Sequence, residues 1–350
     1  MMGSVEKLIS FETGLQYSVA TGKSFICFVE ENSAFSDDNC TSLEAAVEHI
    51  YKENQDVKVE ILNILKLCDG ADRSESDSTS STNAGKLVKI SIVPRINKLT
   101  QQEEVQLVKK IRRYSEHAPK SQYAKQDCRS SAMIPTVRQA PKHIFIGVLK
   151  YQKAHTEENS GEDSATAKGS PKMQDWLRKS FWLASTTPAG GNSPIAAMGP
   201  YDRVNIHPRL RRYIYDIMVH LRMHALSLKT KGGGIHHHSL DDITQLSQLI
   251  SITSSRASTT LMDHVTSDER RWFVTPDYVK IACMYYFPLQ LQIIENSSMD
   301  VSVSYGSKPR LVDDLLQKLQ AVQQLADTDN PLFLQALVVR DVLSKVIPAI

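Results

Sequence analysis

The stretch VNIHPRLRRYIYDIMVHLRMHALSLKTKGGGIHHHSLDDITQLSQLI, residues 204–250, decides the fold of the second half of the chain. Pro208 suits the first position of a helix, and Ser239 suits the N-cap of a second one. Behind each of them, apolar residues recur at the i, i+3, i+4 spacing of a helix that buries one face. The two stripes are Leu210, Tyr213, Ile214, Ile217 and Leu221, then Leu240, Ile243, Leu246 and Ile250.

Helical patterns continue to the end of the chain. Residues 271–294, RWFVTPDYVKIACMYYFPLQLQII, offer Thr275 as the cap and Pro276 as the first residue of a third helix. Two more helices are predicted near Pro309–Leu325 and Pro331–Val346. The pattern therefore predicts an all-helical segment over residues 204–294 and a C-terminal helical extension over residues 295–350.

Upstream of this segment, predicted strands alternate with predicted helices. The strands are Ser24–Glu30, Val57–Leu65, Leu87–Val93 and His143–Tyr151, and the helices are Leu8–Ala20, Ser42–Glu53 and Thr100–Tyr114. Ser42 is the expected N-cap of the second helix, and Val105, Val108 and Ile111 are expected to face inward on the third. Alternation of this kind is typical of an α/β layer with a parallel sheet, which we place in residues 1–185.

Three segments lack enough apolar residues to offset the entropy cost of ordering them. Residues 69–86 and 152–172 are rich in Ser, Asp, Glu and Thr, and we predict that both are disordered loops. Residues 186–203 are rich in Gly and Pro, and we predict a linker there between the α/β core and the helical segment.

Composition restricts the function classes. The 350 residues carry a formal net charge of +2, so global charge favours neither nucleic acid nor an anionic membrane. Five cysteines without a CxxC pair are typical of free thiols in a reducing compartment. The N-terminus lacks the apolar run of a signal peptide, and no run of about 18 apolar residues predicts a membrane span. We expect a soluble nuclear or cytoplasmic protein with no membrane partner.

The helical segment 204–294 resembles the small helical lid of AAA+ ATPases of the MoxR and magnesium-chelatase group. This resemblance implies an AAA+-like parallel-sheet core, which binds a triphosphate through a Gly-rich loop with Lys and Ser/Thr that follows a strand. Thr21-Gly22-Lys23-Ser24 matches the tail of that motif, but Tyr17 stands at its first Gly, and the tetrapeptide precedes the strand Ser24–Glu30. We interpret it as a turn.

The loop that does follow this strand has the wrong charge for a triphosphate. Glu31–Thr41, ENSAFSDDNCT, contains no Gly and no Lys but one Glu and two Asp, which would repel phosphates. The resemblance also implies an acidic pair after the strand Leu87–Val93, where it would hold magnesium and orient water. Pro94 and Arg95 occupy those positions here. Proline has no side-chain oxygen that could bind a metal, and Arg95 places its positive charge where the metal is expected.

The two sensor positions that the resemblance implies are changed as well. No Asn ends the strand that contains Ile144–Val148, and His238 stands where the lid Arg is expected, with a shorter side chain that is mostly neutral at pH 7. Because all four nucleotide elements are altered, we predict no catalytic residues, no cofactor and no bound metal. The chain is expected to be a pseudo-ATPase that acts as an interaction protein with unknown protein partners.

A more specific resemblance covers most of the chain. Val93–Asn97 (VPRIN), Arg211–His224 (RRYIYDIMVHLRMH) and Asn330–Leu334 (NPLFL) are similar to segments of the fungal maintenance of telomere capping protein 2 family. The last of them lies beyond the lid, so a generic lid does not account for it. The family's name implies a contribution to telomere capping.

Two alternative functions stay open at this point. The first is nucleotide binding without hydrolysis, as a structural ligand that depends on His238, although Pro94, Arg95 and His238 are all degenerate positions of the nucleotide site. The second is nucleic-acid binding through the basic first lid helix. Its arginines, which also form the candidate protein-interaction surface, are Arg209, Arg211, Arg212 and Arg222. A solvated helix face partly paired with Asp216 is the simpler interpretation of these arginines. The run His236–His238 has no Cys or acid at ligand spacing, which argues against a metal site.

Overall fold

A computed structural model describes residues 8–31, 33–37, 40–51, 57–61, 88–116, 142–151, 173–188, 204–258, 272–299, 309–325 and 330–348. The predicted loops 69–86 and 152–172 lie outside the described residues, as does the predicted linker 186–203 from residue 189 onward. The predicted boundaries at residues 185, 203 and 294 stay predictions. The chain forms two compact units, a sheet unit (Phe11–Gln152 and Thr187–Ala196) and a helical unit (Met1–Ser10, Lys153–Thr186 and Ala197–Ile350).

The sheet unit contains four parallel strands in the order β2-β3-β4-β1. Its elements in chain order are α1 (Phe11–Thr21), β1 (Phe25–Glu30), α2 (Thr41–Ile50), β2 (Val57–Ile61), β3 (Val88–Val93), a 3-10 turn (Ile96–Lys98), α3 (Gln101–Glu116) and β4 (Lys142–Tyr151). The register pairs Phe25 of β1 with Ile146 of β4, and Val88 of β3 with Lys142 of β4. The prediction of a parallel sheet with intervening helices is confirmed.

Burial explains why these segments form strands. In β1 the residues from Phe25 to Val29 are all buried, and in β4 the residues from Ile144 to Leu149 are all buried. Near-continuous apolar runs of this length are typical of parallel strands covered on both faces. Each of the four observed strands begins within one residue of its predicted start, because this apolar pattern is unambiguous.

The buried face of α3 differs from the predicted one. Val108 and Ile111 are buried as expected, but Val105 is exposed, and Leu107 takes the inner position instead. The helix begins one residue after Thr100, whose hydroxyl and backbone N–H both donate to the Glu103 carboxylate at 2.7 Å. The buried residues of this helix, Glu104, Leu107, Val108 and Ile111, follow the i, i+3, i+4, i+7 spacing of one helix face, and Val105 lies outside that face.

The helical unit consists mainly of packed helices. Its described elements are α4 (Asp175–Arg178), β5 (Leu183–Ser185), α5 (Pro208–Met223), a 3-10 turn (Lys229–Gly234), α6 (Ser239–Ser258), α7 (Pro276–Gln290), a 3-10 turn (Ser297–Met299), α8 (Pro309–Leu325) and α9 (Phe333–Lys345). Helix α7 packs against α6 and α9, which buries Cys283 and Phe287. All five predicted helices of this region are confirmed. Within the described residues, no helix has the length and apolar character to cross a membrane.

Of two predicted helix starts, one is observed as expected and the other lies one residue earlier. Thr275 caps α7 as expected, since its hydroxyl accepts from the N–H of Tyr278. Ser239 was expected to cap α6 but lies inside it, because the carbonyl of His238 already accepts the first helical hydrogen bond, from the N–H of Asp242 at 3.0 Å. The Ser239 side chain is buried and instead contacts the Tyr286 hydroxyl at 3.2 Å.

Candidate functional site

The carboxyl ends of the parallel strands form one edge of the sheet unit, where ligands bind in most sheets of this kind. The loop that leaves β1 here is compact. The Ser33 hydroxyl and backbone N–H both donate to the Glu30 carbonyl, at 2.8 and 3.0 Å, and the Ser36 N–H donates to the Ser33 carbonyl at 2.9 Å. Hydrogen bonds within the loop therefore stabilise its described part.

Asp37 occupies the N-terminus of α2. One of its carboxylate oxygens, Oδ2, accepts from the Thr41 N–H at 2.6 Å, the Thr41 hydroxyl at 2.5 Å and the Ser42 N–H at 3.4 Å. Helix N-termini bind anions because their first amides have no partner within the helix. Here the chain's own carboxylate takes that place. Ser42, the expected N-cap, is wrong by two positions: α2 begins at Thr41 and its N-cap residue is Cys40.

The electrostatics around Asp37 favour its charged form. Desolvation opposes ionisation, but the hydrogen bonds from Thr41 and Ser42 and the charge of Lys150 outweigh it and lower the pKa of Asp37. Burial, together with the nearby charge of Asp37, raises the pKa of the Cys40 thiol to about 11. Cys40 therefore stays a neutral thiol at pH 7 and is a poor nucleophile.

Lys150 supplies the cation at this edge. It lies at the end of β4, and its ammonium group donates to the Ser36 carbonyl in the loop after β1. The strand continues to Tyr151, whose carbonyl accepts from the Glu31 N–H at 3.0 Å. The resemblance implied an Asn at the end of this strand. The structure places there a lysine that holds the neighbouring loop, a role that the sequence did not indicate.

Pro94 and Arg95 follow β3 directly, at the same edge. Arg95 adopts a left-handed backbone conformation (φ 49°, ψ 51°), which is uncommon for a residue other than glycine. Its carbonyl accepts from the Lys98 N–H at 2.9 Å and thereby closes the 3-10 turn, whose first residue, Ile96, is buried. The turn places no carboxylate at the end of β3, since residues 88–98 contain neither Asp nor Glu.

The tetrapeptide Thr21–Ser24 precedes β1 and lies at the opposite edge of the sheet. The helix α1 ends at Thr21, Gly22 turns the chain with φ 75°, and β1 begins only at Phe25. The Ser24 hydroxyl accepts from the Phe145 N–H at 3.1 Å, so it holds the amino end of β4. The interpretation of this segment as a turn is confirmed.

In the helical unit, three glycines precede the histidine run. Gly232, Gly233 and Gly234 all have positive φ, at 60°, 64° and 78°. A β-carbon on Gly234 would lie 2.3 Å from the Gln290 carbonyl oxygen, so this glycine allows the backbone of the turn to touch the end of α7. The close approach requires glycine at that position.

His238 lies exposed at the start of α6. Its ring centre is 3.8 Å from that of His237 and 5.9 Å from that of His236. Burial lowers the pKa of His236 although Asp242 lies nearby, so His236 is neutral at pH 7. Within the described residues, no three His, Cys, Asp or Glu side chains are grouped so that they could hold a metal ion.

The structure separates Arg222 from the other three arginines of α5. Its guanidinium donates from Nε and Nη2 to the Ile235 carbonyl, at 3.2 and 2.7 Å, and so ties α5 to the segment after the glycine turn. Arg209, Arg211 and Arg212 are exposed. Among the described residues none of these three forms an ion pair, including with Asp216, the partner expected from the sequence. The exposed basic surface therefore consists of three arginines at the first turns of α5.

An ion pair that the sequence did not indicate fixes the base of the glycine turn. The Lys231 ammonium contacts the Asp175 carboxylate of α4, and desolvation of Asp175 is outweighed by this lysine, which lowers the pKa of Asp175. Gln290 at the end of α7 donates to the Phe181 carbonyl at 2.7 Å. These contacts join residues about 55 to 110 positions apart, and no local sequence pattern predicts such pairs.

Comparison with known proteins places the chain in a family. A family model for the N-terminal domain of maintenance of telomere capping protein 2 matches residues 9–186. The protein of that name from Vanderwaltozyma polyspora is 40% identical over 358 aligned residues, which cover 99% of both chains. Those from Zygosaccharomyces rouxii and Saccharomyces cerevisiae are 31% and 30% identical, and each alignment covers at least 98% of both chains. The chain belongs to the maintenance of telomere capping protein 2 family.

Proposed function

We propose that this chain is a nuclear, non-catalytic interaction protein that contributes to telomere capping and is built on an AAA+-derived scaffold. The names of its relatives support the link to telomere capping. The parallel sheet with intervening helices, followed along the chain by an all-helical segment, supports the scaffold. The protein would then act by binding partners through its surface and would catalyse no reaction.

The observation that carries this proposal is the carboxylate of Asp37 at the N-terminus of α2. A phosphate-binding loop offers free amides at this position, and the helix dipole adds to their attraction for anions. In this chain the amides of Thr41 and Ser42 already donate to Asp37. A triphosphate would have to displace a carboxylate that belongs to the chain itself and therefore cannot diffuse away. The negative charge of this carboxylate would also repel the phosphates.

The end of β3 supports the same conclusion. Magnesium in ATPases is held by oxygen ligands, and the attacking water is oriented by an acid or amide nearby. Pro94 and Arg95 offer a ring and a cation at this position instead. Arg95 would repel a divalent cation, so no metal-assisted transfer of a phosphoryl group is expected at this edge.

A phosphate-release assay on the purified full-length chain with Mg²⁺ and ATP tests the absence of catalysis. We expect the same rate with and without protein, and the same rate for Arg95→Ala. Phosphate release above background that is lost in Arg95→Ala would contradict the proposal, because a contaminating ATPase would not respond to that substitution.

The telomere role is tested separately, in the native host. A strain without this protein is expected to show a telomere-capping defect, and both the wild-type chain and Arg95→Ala are expected to restore capping. Normal capping in the deletion strain would remove the telomere part of the proposal. Failure of Arg95→Ala alone to restore capping, at normal protein levels, would argue for a chemical role of this edge.

Nucleic-acid binding by α5 is the second candidate function, and the three exposed arginines without an ion pair among the described residues favour it. Phosphate contacts would make such binding steeply dependent on salt. A labelled single-stranded oligonucleotide should then bind at low salt and lose affinity in Arg211→Ala with Arg212→Ala. Absence of binding at low salt would exclude this function.

A further inference from the structure

The outward side of α5 carries a row of exposed apolar side chains. Tyr215, Val219 and Met223 follow one another at intervals of four residues and are 56%, 40% and 69% exposed. Residues four apart lie on the same side of a helix, so the three form one line about 12 Å long. The side of α5 that packs on the rest of the unit is a different one, which contains Ile214 and Ile217. We call Tyr215, Val219 and Met223 the outer row.

Two arginines flank the outer row at its N-terminal end. Arg211 precedes Tyr215 by four residues and therefore continues the line of the row, and Arg212 lies beside it. Both lie in the first turns of α5, where the helix dipole is positive, and the first turn contains no acidic residue. The arginines therefore gain nothing from the helix dipole, and neither of them forms an ion pair with a carboxylate among the described residues. A residue choice that opposes local stability is expected where it serves binding.

We propose that the outer row, with Arg211 and Arg212, binds an amphipathic helix of a partner protein that carries acidic residues beside its apolar stripe. The apolar stripe of the partner would cover Tyr215, Val219 and Met223, and its carboxylates would meet the two arginines. This inference rests on the proposed function as an interaction protein and specifies the chemistry of its partner.

The shape and chemistry of the row favour a helix over nucleic acid. A straight line of side chains at four-residue spacing packs into the groove of another helix. Val219 and Met223 can neither hydrogen-bond a base edge nor provide an aromatic surface for stacking, whereas single-strand binders alternate aromatic and basic residues along their groove.

A second copy of the chain is a poorer occupant. In a symmetric antiparallel contact, the arginines of one copy would face the C-terminal end of α5 in the other copy. That end reads VHLRM from Val219 to Met223 and contains no carboxylate. The positive charge would stay unmatched, so charge complementarity favours a different, acidic partner.

The test uses fluorescence anisotropy of the full-length chain with two labelled synthetic helical peptides. Both carry Leu at helical spacing, and the flanking positions are Glu in one peptide and Lys in the other. We expect the Glu peptide to bind and the Lys peptide not to bind. Val219→Asp, and Arg211→Glu with Arg212→Glu, should each weaken binding of the Glu peptide about tenfold or more.

Matched controls come from α8. Val322 is 43% exposed, close to the value for Val219, and Arg310 is an exposed arginine in the first turn of its helix. Val322→Asp and Arg310→Glu should leave the affinity within about twofold, and circular dichroism should show that all variants are folded. Equal binding of both peptides, no binding of either, or equal effects of Val219→Asp and Val322→Asp would overturn the inference.

Two further results would assign the row to another occupant and also overturn the inference. One is a monomer–oligomer equilibrium in sedimentation that Val219→Asp abolishes. The other is oligonucleotide binding that the Arg211→Glu and Arg212→Glu variant loses. If both peptides fail to bind while ATP is still not hydrolysed, the inference fails and the proposed non-catalytic function stands.

Discussion

Gly234→Ala and Gly232→Ala form a matched pair of substitutions in the turn that precedes α6. Both residues have positive φ, 78° and 60°, so an alanine at either one pays the same kind of backbone penalty, about 1 kcal/mol. Their surroundings differ. A β-carbon on Gly232 meets nothing within 4 Å, whereas one on Gly234 would lie 2.3 Å from the Gln290 carbonyl oxygen.

The close approach of the Gly234 β-carbon to the Gln290 carbonyl oxygen determines how much more stability Gly234→Ala loses than Gly232→Ala. The Gln290 carbonyl cannot yield by a side-chain rotation, because it belongs to the backbone at the end of α7. The neighbouring segment is also held, since the Gln292 N–H donates to the Gly233 carbonyl at 2.9 Å. Relief of the clash must therefore shift backbone, at a cost of about 2 kcal/mol in addition to the φ penalty. We expect losses in unfolding free energy of about 1 kcal/mol for Gly232→Ala and about 3 kcal/mol for Gly234→Ala.

Urea denaturation followed by tryptophan fluorescence measures this difference directly. The three tryptophans, Trp176, Trp182 and Trp272, all lie in the helical unit that contains the turn. With a slope of about 2 kcal/mol per molar urea, the midpoints of the two variants should differ by about 1 M. Equal midpoints would refute the reasoning, because they would show that Gly234 does not approach the end of α7.

The remaining predictions concern single side chains. Asp37→Ala should lower the stability of the sheet unit by about 1 to 2 kcal/mol and speed hydrogen exchange of the first amides of α2, while Asp37→Asn, which keeps an acceptor, should cost less than half of that; equal effects of the two changes would contradict this. Burial lowers the pKa of His224 below its usual 6.5, so protonation is costlier in the folded chain and stability should fall as the pH drops from about 7.5 to about 5.5. His224→Gln should reduce that pH-dependent fall in the urea midpoint and the exposed His220→Gln should not; an unchanged pH dependence in His224→Gln would speak against it. Arg222→Ala removes two hydrogen bonds from a charged donor and should lower the unfolding free energy by about 1.5 to 3 kcal/mol in tryptophan fluorescence, against less than about 0.5 kcal/mol for the exposed Arg212→Ala; similar losses for both would contradict the tie to residue 235.

Apolar periodicity predicted the elements of this fold because burial is repeated over many residues. The strand from Phe25 to Glu30 and the helix from Pro309 to Leu325 follow from runs of five or more side chains with a common environment. Proline and threonine signals also located helix starts, as Thr275 does for α7. A pattern that extends over many residues predicts an element correctly even when one residue departs from it.

Single-residue details were predicted less well, because one distant contact can decide them. Ser239 begins a helical stripe but lies inside α6, where Tyr286 contacts its hydroxyl. Val105 was predicted on the inner stripe of α3, yet it is exposed and Leu107 is buried instead. Local sequence patterns locate the end of a helix and the edge of its buried face less precisely than they locate the helix itself.

At the candidate site, too, the positions of strand ends were predictable from the sequence and the side-chain contacts were not. The sequence alone placed Pro94 and Arg95 after β3, because a strand end is easy to locate. It did not reveal that Asp37 bonds to the first turn of α2 or that Lys150 reaches the loop after β1, 114 residues away in the chain. The acidic residues of that loop correctly predicted a negative charge near the start of α2, but only the fold shows that Asp37 is the residue that binds the helix end.

The amide signals of Thr41 and Ser42 offer the most direct test of the central claim, that the chain's own carboxylate holds the place of a phosphate. Two-dimensional ¹H–¹⁵N spectra of the full-length protein would be recorded while Mg²⁺ and ATP are added up to millimolar concentration. We predict that both amide shifts stay constant throughout the titration. A saturable change of both signals at micromolar ATP would show that a triphosphate displaces Asp37, and it would contradict the account.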